Sequence, residues 1–333
     1  MMAKKDANIL FAFLGAVLVV IGLYQAMKKE GNPAEKEKND VGLSDWFSRF
    51  CSNIQVQDSG TISYRYKRIT GQLNTDFWDT TSETSHSRYV GSYGRNTATK
   101  GFSDLDMVFE LPSKLYSQYD EYAGNGQSAL SQAVRSSMRR TYSTSDIGAD
   151  GQVIVVKFDD GITFEVNPVF PNRGGSYTFP DSNNSGSWKT TNPKPEIQAI
   201  RERNNACNNN LVPLCRMMRA WKSKWNVPIG GLLIDTLAYQ FIENYEYRNQ
   251  SYFYYDFMCR DFFKWMADQD AEQEYWRAPG SGQYVYKKGN FQYKAKRCYN
   301  IALEAIEYET ADPKREWSAK QKWREIFGSD FPE

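Results

Sequence analysis

Asp104 and Asp106 stand one residue apart in GSYGRNTATKGFSDLDMVFELP, Gly91 to Pro112, at the mouth of a segment that reads as a buried strand. In a strand, residues i and i+2 share a face, about 6.6 Å apart along the chain. The two carboxylates therefore converge and repel each other. A pair of divalent cations, about 3.5–4 Å apart in phosphoryl-transfer sites, relieves such a repulsion. A third acid from a neighbouring strand completes the set, and Glu165 in ITFEVNP, between Phe164 and Val166, is the candidate. Upstream, Gly91-Ser92 suits a phosphate. A short helix after it would offer free backbone N–H groups, the small residues let oxygen approach closely, and Ser92 adds a hydroxyl donor. Taken singly, an Asp-x-Asp is also what a solvated strand end looks like, and Gly-Ser is weaker still. Together with a later acid on a hairpin they point to metal-dependent nucleotidyl transfer.

The elements that must hold these groups are legible in outline. LSDWFSRFCSNI, Leu43 to Ile54, puts Leu43, Trp46, Phe47, Phe50 and Ile54 on one helical face, with Ser44 as a candidate N-cap. A second helix is expected over Thr61–Phe77, a strand over Asp104–Leu111 that stops at Pro112, and a helix over Ala129–Tyr142. QVIVVKF and ITFEVNPVF read as a hairpin turned at Asp159-Asp160-Gly161. Asn172 to Pro195 is rich in Gly, Ser, Asn and Pro and reads as a long ordered loop, anchored by Tyr177, Phe179 and Trp188. The second half is helical, and YFYYDFMCRDFFKWM, Tyr252 to Met266, has the spacing of a core helix rather than of an interaction surface. This order of helices, a small mixed sheet and a helical half predicts an α+β fold. The expected division is a core over 41–192 and a helical domain over 193–333.

Composition excludes several classes. The 333 residues carry 41 basic and 40 acidic side chains, a formal charge of +1, which disfavours a protein built to clamp a long nucleic acid. A single histidine, His86, rules out a multi-histidine metal site, and its polar setting, TTSETSHSR, reads as a solvated loop. Five cysteines without a CxxC read as reduced thiols rather than as a disulfide framework or zinc site.

The first 27 residues stand apart. Ile9 to Tyr24 is an unbroken apolar and glycine run, and residues 8–27 approach the roughly 20 needed to span a bilayer. More lysines follow the run than precede it, which turns its C-terminal side to the cytoplasm. The reading is a transmembrane anchor over 1–27, with a cleaved signal peptide as the competitor. Residues 28–40 read as a charged linker. The catalytic part is then expected in the cytoplasm, held to the inner membrane by a single N-terminal helix.

The Gly91–Pro112 stretch resembles the active-site motif of the DNA polymerase β-like nucleotidyltransferases. More narrowly it resembles that of the bacterial CD-NTases, relatives of cyclic GMP-AMP synthase and oligoadenylate synthase. The resemblance extends from about Val41 to the end, through ITGQLNTDF, GITFEVNPVFP, FPDSNNSGSWKTTNPKPE, MMRAWK and KWREIFGSDFP. It implies a polymerase β-like core with a C-terminal helical domain. Asp104, Asp106 and Glu165 would be the catalytic acids and the ligands of Mg²⁺ or Mn²⁺, Glu165 standing where many relatives carry Asp. Gly91 and Ser92 would bind nucleotide phosphate. Arg219 falls where relatives often carry a triphosphate-contacting lysine; the alternative for it is a surface ion pair. The implied activity joins ribonucleoside triphosphates, ATP among them, into a cyclic di- or trinucleotide second messenger for antiphage defence, read by a separate effector protein. The alternatives are an RNA-end nucleotidyltransferase and an inactive membrane-tethered nucleotide-binding module.

Overall fold

The computed structural model describes residues 41–101 and 104–333. The expected hydrophobic helix at 8–27 and the linker at 28–40 lie outside these residues. Among the described residues no helix is long and apolar enough to cross a membrane.

Helices α1 (Val41–Asn53) and α2 (Ser59–Trp78) come first. Then follow β1 (Ser87–Tyr89), the single turn α3 (Gly91–Gly94), β2 (Leu105–Glu110), α4 (Ser113–Asp120) and α5 (Gly126–Thr141). Strands β3 (Asp146–Asp150), β4 (Val153–Lys157) and β5 (Thr163–Pro171) complete a sheet of order β1-β2-β5-β4-β3. β2 and β5 run parallel, and their neighbours are antiparallel. The predicted hairpin is β4–β5, closed where Phe158 N–H donates to the Ile162 carbonyl at 3.0 Å. Alternation along β2 buries Leu105, Met107 and Phe109 against α2 and α5 and turns Asp106 to the opposite face.

The long segment after Asn172 is not simply loop. It folds as a hairpin of β6 (Tyr177–Asp181) and β7 (Ser187–Thr191), with β6 paired to the end of β5. Its Asn, Ser and Gly residues form the turn, where Asn184, Ser185 and Gly186 adopt positive φ.

The second half contains α6 (Pro193–Ala206), α7 (Leu211–Trp225), α8 (Gly231–Glu243), α9 (Tyr255–Ala267), the hairpin β8 (Tyr275–Arg277) and β9 (Tyr284–Tyr286), α10 (Gln292–Thr310) and α11 (Glu316–Phe327). Phe257, Phe262, Phe263 and Met266 of α9 are buried, as the helical spacing required. The division at 192–193 falls between β7 and α6, yet α1 packs into the helical half. Phe47 meets Trp323 and Phe331, and Phe50 meets Phe327, at ring-centroid separations of 5.2, 5.3 and 4.6 Å. The large apolar cluster therefore draws on both ends of the described chain, and the sheet keeps a separate cluster of its own.

All five cysteines are free and buried, as expected of reduced thiols. Burial pushes the Cys51 and Cys298 thiols up to about 12. His86 is not the solvated loop residue the sequence suggested. Its ring stacks on Trp78 at 4.0 Å, and Nδ1 lies 2.6 Å from Oδ1 of the buried Asn74.

Candidate active site

The register of β2 on β5 sets Asp106 directly opposite Glu165. Their carboxyl groups are hydrogen bonded to each other. Asp104 lies one residue before β2 and is exposed. With Glu165 it lines a cavity of about 350 Å³ that also takes in Asp146, Asp150, Lys157 and Thr163. A neighbouring cavity of about 420 Å³ shares Asp104 and Thr163 and reaches Tyr93 and Lys100.

The Gly-Ser turn is brought to the same place. Val90 N–H donates to the Asp106 carbonyl at 2.9 Å, and Ser92 N–H donates to the Asp106 carboxylate. Gly91 has φ +56°, and a Cβ there would overlap the Asp106 carboxylate. Only glycine lets the turn close on the acid. The structure thus gathers Gly91, Ser92, Asp106 and Glu165, with Asp104 at the rim.

The electrostatics are those of crowded acids. Burial raises Asp106; Arg95 opposes that and Asp104 adds to it. Glu165 is pushed up to about 7, by burial first and then by the negative charges of Asp106 and Asp104. The hydrogen bond between Asp106 and Glu165 lowers Asp106 and raises Glu165, so Glu165 is the acid of the pair favoured in its protonated form. Among the described residues no three His, Cys, Asp or Glu side chains converge on one metal-sized point. The donor chemistry nevertheless fits a hard divalent cation: three carboxylates, no histidine, and two of them held above their ordinary range, by burial first and then by neighbouring negative charge.

Arg219 is placed elsewhere. It is 7% exposed, so it is not a surface ion pair. Its Nη2 reaches both oxygens of Asp235, at 2.8 and 2.7 Å, Thr97 Oγ1 at 3.0 Å and the Gly231 carbonyl at 3.2 Å. Asp235 is fully buried and also accepts from Arg95 Nε at 2.9 Å and Thr97 Oγ1 at 2.8 Å. Arg95 in turn faces the buried Glu196 of α6 at 3.6 Å.

Sequence reasoning missed Asp235 and the residues around it. The signal was available: a lone acid inside the apolar helix GLLIDTLAYQFIE, and Arg95 and Thr97 within the Gly-Ser stretch itself. It also passed over Lys222, half-buried beside Arg219. Burial pushes its ammonium down, and Arg219 and Lys288 push it further. Neither Lys222 nor Lys288 forms an ion pair among the described residues, so this face of the α7–α8 junction is cationic.

Parallel strands that present paired acids beside a Gly-Ser turn, joined to a helical half, have the arrangement of a nucleotidyltransferase-like fold. Residues 42–204, just under half of the chain, match the Second Messenger Oligonucleotide or Dinucleotide Synthetase domain. Among curated proteins it is similar to the probable cyclic nucleotide synthase IK1_05630 of Bacillus cereus (strain VD146), 25% identical over 181 residues. That alignment covers 51% of each protein, so the chain spans about half the length of this relative. Among solved structures it resembles CdnG of Bradyrhizobium diazoefficiens in complex with GTP, with TM-score 0.62, 12% identity and coverage of 87% of this chain and 96% of that one. CdnC of E. coli MS115-1, in complex with HORMA-deltaN, gives TM-score 0.61, 14% identity and coverage of 87% and 98%. Apo DncV of Vibrio cholerae gives TM-score 0.59, 17% identity and coverage of 94% and 84%. At these identities the likeness is one of fold.

Proposed function

We propose that this chain is a metal-dependent nucleotidyltransferase that makes a cyclic di- or trinucleotide second messenger from ribonucleoside triphosphates. The observation that carries the reading is Asp106 facing Glu165 in register, with Gly91 and Ser92 closed over Asp106. The curated relative is a probable cyclic nucleotide synthase, and the CdnG structure holds GTP.

In this reading Asp104, Asp106 and Glu165 hold Mg²⁺ or Mn²⁺, which supplies charge neutralisation at the triphosphate. Ser92 donates its hydroxyl to a phosphate oxygen, and Gly91 permits the close approach. Lys222 and Lys288 attract the triphosphate from the helical side. Because Nη2 of Arg219 is held by Asp235, Thr97 and Gly231, Lys222 beside it makes the phosphate contact expected of Arg219. An incoming ribose hydroxyl attacks the α-phosphorus. Its proton passes to Glu165 in its ionised form, the acid that faces Asp106 in register. The bond to the leaving oxygen breaks and pyrophosphate departs. A second attack within the same site closes the ring.

The product is read by a separate effector in antiphage defence, and the anchor at 8–27 keeps the enzyme at the inner membrane. Mass spectrometry of products from the four ribonucleotides with Mg²⁺ or Mn²⁺ tests the chemistry. Cyclic, phosphatase-resistant products are expected. RNA-dependent tailing, or nucleotide binding without pyrophosphate release, would overturn it. Carbonate extraction of the full chain and of residues 41–333 tests the anchor: only the full chain should stay with membranes.

A further inference from the structure

The acids and the Gly-Ser turn belong to the sheet half, whereas Lys222 and Lys288 belong to the helical half. The apolar clusters of the two halves are separate. Asp235 bridges the gap. It projects from α8, accepts Arg95 and Thr97 from the segment that leaves the Gly-Ser turn, and accepts Arg219 from α7. Arg95 continues to Glu196 on α6, and Glu196 accepts Ser281 Oγ at 2.8 Å. Two arginines and two carboxylates, each under a tenth exposed, thus form a neutral polar seam. Such a seam holds one relative placement of its partners, because any slippage leaves charge buried and unpaired. Arg95 is also the cation that lowers Asp106.

We infer that Asp235 is a positioning residue for nucleotidyl transfer: it fixes the Gly91–Thr97 segment, and through it the site acids, against the cationic helical half. Asp235 touches no substrate; it acts through Arg95, Thr97 and Arg219. The inference rests on the proposed activity for its kinetic consequence, but the placement of the segment can be read without any substrate.

The experiment compares Asp235→Asn, Arg95→Lys and Thr97→Val with wild type and with Arg203→Gln. Arg203 pairs with Glu243 inside the helical half at 2.8 Å and serves as the structural control. Pyrophosphate release gives kcat and KM, thermal melting gives stability, and amide hydrogen exchange of nucleotide-free protein follows residues 91–97. Each seam variant should lower kcat about tenfold or more with KM within about threefold, because positioning losses fall on the transition state. Each should also speed exchange at 91–97, whereas Arg203→Gln lowers the melting temperature without either change. Should Asp235→Asn fail to fold, the two milder variants decide. Unchanged kcat with unchanged exchange, or a kcat loss that merely follows the melting temperature, overturns the inference. If wild type releases no pyrophosphate, the proposed function fails and exchange alone decides this one.

Discussion

Asp106 and Glu165 face each other across two parallel strands, with their carboxyl groups hydrogen bonded. Glu165 is raised from 4.5 to about 7, so the folded state holds more protons than the unfolded chain across that window. Stability of the metal-free protein should therefore fall as pH rises from about 4.5 to about 7, and Mg²⁺ should restore it most above that range. Melting curves at pH 5.5 and pH 8, with and without Mg²⁺, check this. Glu165→Gln should flatten both dependences.

Asp106→Asn should reduce pyrophosphate release by about a hundredfold or more. It should leave the melting temperature level or raise it, since one of two repelling charges is gone. Normal turnover by this variant would remove the acids from the mechanism.

Gly91→Ala meets two obstacles at once. Its φ of +56° strains any side-chain-bearing residue, at a cost of about 1–3 kcal/mol, and the new methyl would displace the Asp106 carboxylate. Activity and melting temperature should drop together, and neither added metal nor added nucleotide should restore turnover.

Lys222 is opposed by its neighbours in the folded state, so Lys222→Gln should not destabilise the protein. If the ammonium meets phosphate, a charge-assisted bond of about 1.5–3 kcal/mol is lost, and KM for the nucleotide should rise about tenfold or more. Steady-state kinetics should show kcat little changed.

Phe47 of α1 packs edge-on against Trp323 and Phe331. Phe47→Ala should cost about 3–5 kcal/mol in denaturant unfolding. Hydrogen exchange should locate the loss in α11 as well as in α1, although the two lie at opposite ends of the described sequence.

The acids were legible because strand alternation is local: DLDMVFE and ITFEVNPVF each declare a face before any fold is known. Glycine at 91 was legible for the same reason. Four features were not. The strand β3 reads DIGAD, whose Asp and Gly disfavour strand, and pairing with β4 overrides that preference. The β6–β7 hairpin hides among turn residues because its strands are short and its partner is the far end of β5. Arg219 was assigned by its place on a helix, but its partner, Asp235, lies on the next helix, and the pairing follows from how α7 packs on α8. His86 was misjudged because its stack on Trp78 depends on a turn with φ +60° that its neighbours do not announce.

The buried cysteines have a practical corollary. Every native thiol is shielded, and all five are held in the protonated, unreactive form. The folded chain should ignore maleimides, so a cysteine engineered at an exposed position such as Tyr122 in the sheet half or Trp317 in the helical half would accept a fluorophore without any background removal. Distances between the two halves could then be followed in solution from the native sequence plus one or two substitutions.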